Sequence, residues 1–144
     1  MVTSFRRKIL RFLPCFLRPK TDGAETTVEV GKMAEDAACK FLKKKGYKII
    51  ARNYRTRFGE LDIVALDGEI IAFVEVRSKK EGSFGPPGAS INGEKSRRIT
   101  RAAWNFLSKK EIRDRDCRFD VVSITHKEGT KSPQISLFKN AFSS

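Results

Sequence analysis

Histidine is almost missing from this 144-residue chain, where His126 is the only one. No nucleophile beside it completes a His-based triad, so His126 reads as a surface or strand-end residue. Cysteine is scarce as well. Cys15, Cys39 and Cys117 are widely spaced and odd in number, and no CxxC or Cys/His spacing occurs. Neither a zinc site nor a disulfide framework is supported. Thiols used this way suit a reducing cytoplasm, with Cys39 and Cys117 expected as small buried apolar residues. Acid is in deficit, with 17 Asp and Glu against 30 Lys and Arg, for a net charge of +13. That imbalance points to a polyanionic partner, nucleic acid before an acidic membrane. Long apolar runs, internal repeats and low-complexity tracts are absent. The most apolar N-terminal stretch is interrupted by Arg11 and Pro14, which leaves it too short to span a bilayer, and it carries no small-residue cleavage site.

What is present is a globular composition, 40% hydrophobic with 11 Phe, in a length that suits one domain. Residues 1–20 hold six Lys and Arg and no acid. Such an arm can trail along nucleic acid, lie on an anionic membrane surface, or be a disordered extension. Residues 20–30 read as a linker, so 1–30 is expected to be a flexible basic arm and 31–142 the folded domain.

The domain is organised around Gly59 to Arg77, two β-rich runs joined at Asp67-Gly68. Asp-Gly between such runs is a strong hairpin signal. With Asp67 and Gly68 as turn residues, Val64 is expected opposite Ile71, Asp62 opposite Phe73, and Glu60 opposite Glu75. Side chains alternate along a strand, so Leu61, Ile63, Ala65, Ile70, Ala72, Val74 and Val76 form one apolar face that must lie on a core. The other face is apolar near the turn and ionic at its open end, where Glu60, Asp62, Glu75 and Arg77 converge. Like charges facing each other across a strand pair destabilise it. A divalent cation is the simplest counter-ion, while solvated carboxylates with Arg77 neutralising Glu75 are the plainer alternative.

Before the hairpin, Met33, Ala34, Ala37, Ala38, Phe41 and Leu42 recur at helical spacing from Gly31 until Gly46 ends the helix. Glu35 sits in its first turn, where a carboxylate suits the helix dipole. A first strand runs over Tyr47–Arg55. After Arg77 the composition, Ser78 to Ser90, reads as a loop leaving the sheet beside the carboxylates. A second helix is expected over Gly93–Lys110, with Ile99, Ala102, Ala103, Phe106 and Leu107 as its core stripe and Trp104 at its border, expected to pack rather than to stack on bases. Lys95, Arg97, Arg98 and Arg101 crowd its first turns against the dipole, which suits a phosphate-binding end as well as a solvated basic face. Strands follow at Cys117–His126 and Gln134–Asn140. The strand-helix-strand step implies a parallel pair, the hairpin is antiparallel, and the sheet is therefore mixed with helices packed on it.

Several motifs in this order, Gly31-x-x-Ala-Glu-x-x-Ala, Phe41-Leu, Gly46-Tyr, Arg52-Asn-Tyr-Arg, Gly59-Glu-Leu-Asp-Ile-Val-Ala, Phe73-Val-Glu-Val-Arg, Lys95 and Arg118-Phe-Asp-Val-Val, resemble the YraN-like family of small bacterial proteins. The resemblance covers roughly residues 31–142. That family is similar to archaeal Holliday junction resolvases, which implies a three-layer α/β restriction-endonuclease-like core and a PD-(D/E)xK site. It implies Asp62 and Glu75 as metal ligands, Glu35 as a helix-borne carboxylate near the metal, and Arg77 in place of the motif's lysine. The implied cofactor is Mg²⁺ or Mn²⁺. Arg77 can stabilise charge but cannot accept a proton, its pKa lying above about 12. Two functions follow as expectations: a metal-dependent nuclease acting on branched or structured DNA, or a noncatalytic nucleic-acid-binding protein on the same fold. DNA is expected before RNA, a homodimer stays open, and Lys95, Arg97, Arg98 and Arg101 are the expected nucleic-acid contacts.

Overall fold

The hairpin is apolar along one side and, near its turn, along the other as well, so it has to be covered on both faces. A computed structural model, which describes residues 27–82 and 91–143, places a helix on each. The order is α1 (Thr27–Lys44), β1 (Lys48–Thr56), β2 (Gly59–Asp67), β3 (Ile70–Lys80), α2 (Gly93–Lys109), β4 (Cys117–His126) and β5 (Gln134–Phe142). The five strands form one sheet in sequence order, parallel only between β3 and β4. This is the mixed three-layer α/β arrangement of a restriction-endonuclease-like core. No helix among the described residues is long and apolar enough to cross a membrane.

Ala34, Ala38, Cys39 and Leu42 of α1 bury themselves against Ile63, Ala65, Ala72 and Val74. On the opposite face Ile99, Ala102, Ala103 and Phe106 of α2 meet Val64, Ile71 and Phe73. Phe106 anchors that layer, its ring edge-on to Tyr54 at 5.1 Å and to Phe73 at 6.1 Å. Burying a side chain of this size stabilises by about 1.5–3 kcal/mol. Leu61 departs from the expected alternation and packs in the α2 layer. Its partner across the sheet is Tyr54, which follows Asn53 in a left-handed conformation at φ +50° and also turns toward α2.

The hairpin turn is Gly68-Glu69 rather than Asp67-Gly68, with Asp67 paired to Ile70. Gly68 takes φ +61°, the first-position glycine of a type II′ turn. Asp67 is drawn into the strand by two cations, accepting from Arg118 Nη2 at 2.6 Å and Lys139 Nζ at 2.8 Å. Val64 therefore faces Phe73 and Leu66 faces Ile71, a slide of two from the expected register. Because the side-chain period is two, the slide itself moves no residue to the other face, and Leu61 alone departs.

Other boundaries move for local reasons. Residues 27–30, expected in a linker, are the first turn of α1. Ser78, Lys79 and Lys80, expected in a loop, continue β3 by pairing with Ile124, Thr125 and His126. Met33, expected in the core stripe, is exposed, as are Cys117 and Trp104. His126 is exposed at the end of β4, as expected. The basic arm, Cys15 and residues 83–90 lie outside the described residues.

At the turn end of the hairpin, Asp120 is fully buried and accepts from Arg118 Nε at 2.9 Å and from the Asn140 backbone N–H at 2.9 Å. Arg118 Nη2 also donates to Tyr47 Oη at 2.8 Å. This network ties β5 and the hairpin turn to β4, and burying Asp120 requires it, since a buried carboxylate is tolerable only when paired and hydrogen-bonded.

Candidate active site

The slide in register decides the site. One step beyond the last paired positions, Ile63 and Val74, Asp62 comes opposite Glu75 rather than Phe73. The Val76 backbone N–H donates to Asp62 Oδ2 at 2.8 Å and fixes that carboxyl toward its neighbour. Glu75 is 93% buried, with 7% of its surface left to solvent. Burial first, and then the Glu75 carboxylate, push the Asp62 pKa up to about 7.

The counter-ion comes from the other layer. Lys95, in the first turn of α2, sets its ammonium directly against Glu75 Oε1. Asn92 caps this helix, its side chain accepting from the Lys95 backbone N–H at 2.8 Å, so the cap holds Lys95 in place. The start of β2 lies against this helix, where a Cβ on Gly59 would be in ordinary contact with Arg98. The result is an open cleft of about 400 Å³ lined by Glu60, Asp62, Glu75, Lys95, Arg98 and Ile99, among others.

Glu35 stands off this cleft on α1, half-buried. Burial raises its pKa, and a hydrogen bond from the Asn53 side chain partly offsets the rise. Its charge still reaches Asp62 and contributes to that group's raised pKa. Arg77 lies two residues beyond Glu75 on β3, half-buried and alongside Ser123 of β4, and is not among the described residues lining the cleft. Of the basic cluster, Lys95 and Arg98 line the cleft, while Arg97 and Arg101 are exposed on the same helix.

Asn53 and Asn92 are site-supporting residues that the sequence reading did not single out. Asparagine is unusually tolerant of the left-handed region and is a preferred N-cap. An Asn in mid-strand and an Asn immediately before a helical pattern were the available signals.

The residues present suit a hard divalent cation. Asp62 and Glu75 are adjoining oxygen donors whose mutual repulsion a cation would relieve. Among the described residues no set of three or more His, Cys, Asp or Glu side chains is arranged to hold a metal. Two carboxylates with the remaining positions left to water and substrate phosphate is an arrangement that Mg²⁺ accepts.

Comparison with known proteins places this sequence in a family. Residues 34–124 match the family described as "Uncharacterised protein family UPF0102". A UPF0102 protein of Pelotomaculum thermopropionicum is 39% identical over 113 residues, covering 78% of this chain and 94% of that protein. One from Geobacter metallireducens is 43% identical over 113 residues, covering 78% and 91%. Another, from Desulfosudis oleivorans, is 43% identical over 114 residues, covering 79% and 89%. Matched across most of its own length and nearly the whole of these relatives, the chain belongs to the UPF0102 family, the YraN-like group that its motifs resemble.

Proposed function

We propose that this protein is a metal-dependent nuclease that hydrolyses phosphodiesters in branched or structured DNA. The observation that carries this reading is the Asp62–Glu75 pair lining a cleft, with Lys95 against Glu75. Asp62 and Glu75 would hold Mg²⁺ or Mn²⁺. When bound, such an ion lowers the pKa of a water and neutralises charge on phosphate oxygens. Val76 N–H keeps Asp62 aimed at its neighbour. Lys95 supplies what the third position of the motif lacks: a compact ammonium with three donors, 46% exposed and so open to an entering phosphate. Arg98 adds a second cation to the same wall. Glu35, half-buried and in electrostatic reach of Asp62, is a positioning residue that tunes the charge of the pair.

In this reading Lys95, rather than Arg77, takes the part of the motif's lysine, and the Arg77 substitution no longer argues against catalysis. The test is cleavage of a panel of branched, flapped and linear DNAs with Mg²⁺ or Mn²⁺. The native protein is expected to cut, while Asp62→Asn, Glu75→Gln and Lys95→Gln lose at least about 100-fold, the scale on which single electrostatic stabilisers act. A second reading is favoured by the same ion pair, because Lys95 already neutralises Glu75: a noncatalytic nucleic-acid-binding protein. Binding by the native protein without cleavage of any substrate, with either ion, would establish that reading instead.

A further inference from the structure

The chain has one tryptophan, and it is on the surface. Trp104 is 67% exposed, although the helix that carries it buries four apolar neighbours. Its position relative to the cations of α2 is regular. Lys95, Arg98, Arg101 and Trp104 succeed one another at intervals of three residues, and side chains so spaced are adjacent on a helix, about 5–6 Å apart. They form one oblique row that winds half a turn around the helix, because nine residues at about 3.6 per turn make two and a half turns, so Trp104 lies on the side of α2 away from the cleft. It begins at Lys95 against Glu75, passes Arg98 in the cleft wall, and ends at the indole. Arg98, Arg101 and Trp104 are all exposed, and among the described residues no ion pair engages Arg98 or Arg101.

From Trp104 we infer the form of nucleic acid that the row receives: a strand whose phosphates follow Lys95, Arg98 and Arg101 and which presents an unpaired base to stack on Trp104. The inference rests on the nucleic-acid reading above and specifies its substrate class. An indole offers a π-face to any unpaired base, and base–aromatic stacking combined with a cationic track is how single strands are held without sequence preference. A base inside a continuous duplex has both faces occupied and cannot use this platform. Three steps of about 5–6 Å from Lys95 to Trp104 make a path of about 15–18 Å around and along the helix. A second copy of the chain is a poorer occupant, because two bodies of net charge +13 would bring cationic helices face to face.

The single indole makes the test direct. The full chain is titrated, in EDTA so that no cleavage can occur, with a fluorescein-labelled single strand, the matching duplex, and a duplex with a four-nucleotide unpaired flap. Anisotropy reports binding, and tryptophan emission reports stacking. The expected result is saturable quenching by the single strand and the flap but not by the duplex, with Trp104→Ala weakening the first two by about 5- to 150-fold and Trp104→Phe recovering part of the loss. Binding without quenching, or equal binding by Trp104→Ala, would overturn the stacking while leaving the nuclease proposal to its own cleavage assay. Equal quenching by the duplex would overturn the unpaired substrate. A Trp104→Ala change that dissociates a dimer in sedimentation, with nucleic-acid binding unchanged, would assign the indole to a self-interface instead.

Discussion

Replacing Asp62 with Asn removes a charge that the fold holds at a cost. In the folded protein its pKa is pushed up to about 7 by burial and by Glu75, against an ordinary value of 3.8. For an acid raised on folding the sign is unfavourable to the native state. Below pH of about 4 the group is protonated in both states and costs nothing. As pH rises the unfolded state releases the proton first, and stability falls until about pH 7, above which both states are ionised. A difference of about three pKa units at about 1.4 kcal/mol each sets an upper bound of about 4 kcal/mol, and residual hydration of a half-buried group brings the expectation to about 2–4 kcal/mol. The asparagine oxygen can still accept from Val76 N–H, so the hairpin keeps its geometry. Urea denaturation in EDTA at pH 5, 6, 7 and 8 should show Asp62→Asn gaining on the native protein as pH rises, most of the gain being complete by pH 7. Adding Mn²⁺ should then stabilise the native protein and leave the variant unmoved. A stability difference between the two that does not change with pH would refute the reasoning, because the cost would then not arise from ionisation.

Three further outcomes follow from other parts of the molecule. Arg118→Met strands the fully buried Asp120 and should cost about 3–5 kcal/mol in urea denaturation, with most of that recovered when Asp120→Asn is added; a loss below about 1 kcal/mol would contradict the network's role. Neutralising Arg97, Arg98 and Arg101 together should make the logarithmic salt dependence of DNA affinity shallower by about 2–3, close to one for each lost phosphate contact, and an unchanged slope would remove these arginines from the interface. Arg77→Gln should leave cleavage within about 10-fold of native while Lys95→Gln abolishes it, and the reverse order would return the lysine's role to Arg77.

Sequence alone carried the layers and the faces well, because both rest on periodicity. The apolar stripe of Ile99, Ala102, Ala103 and Phe106 and the alternation around Val74 survive any small slide of register. What it could not carry was the partner across the sheet. Asp67 looked like a turn residue by local preference, yet Arg118 and Lys139, which hold it in the strand, lie 51 and 72 residues away. That non-local pull moves Asp62 from opposite Phe73 to opposite Glu75, the place the sequence register gives to Glu60. Lys95 was visible as one cation among four. Its selection for the site depends on where α2 crosses the sheet, which is set by packing against Phe73. Trp104 was assigned to the core border because tryptophan is usually covered, and only its position relative to the buried stripe exposes it.

Two asparagines with left-handed backbone stand on the two outermost strands, Asn53 at φ +50° on β1 and Asn140 at φ +51° on β5. Each lies in a strand whose pairing also carries a register shift, between Ile49 and Ala51 on β1 and opposite Phe119 and Val121 on β5. An open sheet ends in rows of unpaired N–H and C=O groups that invite a strand from another molecule. A kinked, bulged strand cannot offer a flat row, and the Asn140 N–H is already spent on buried Asp120. Both margins of the sheet are thereby guarded against strand addition. Straightening either one, for example by replacing Asn140 with a β-branched residue, should raise the tendency of the chain to aggregate during refolding before it alters the buried layers.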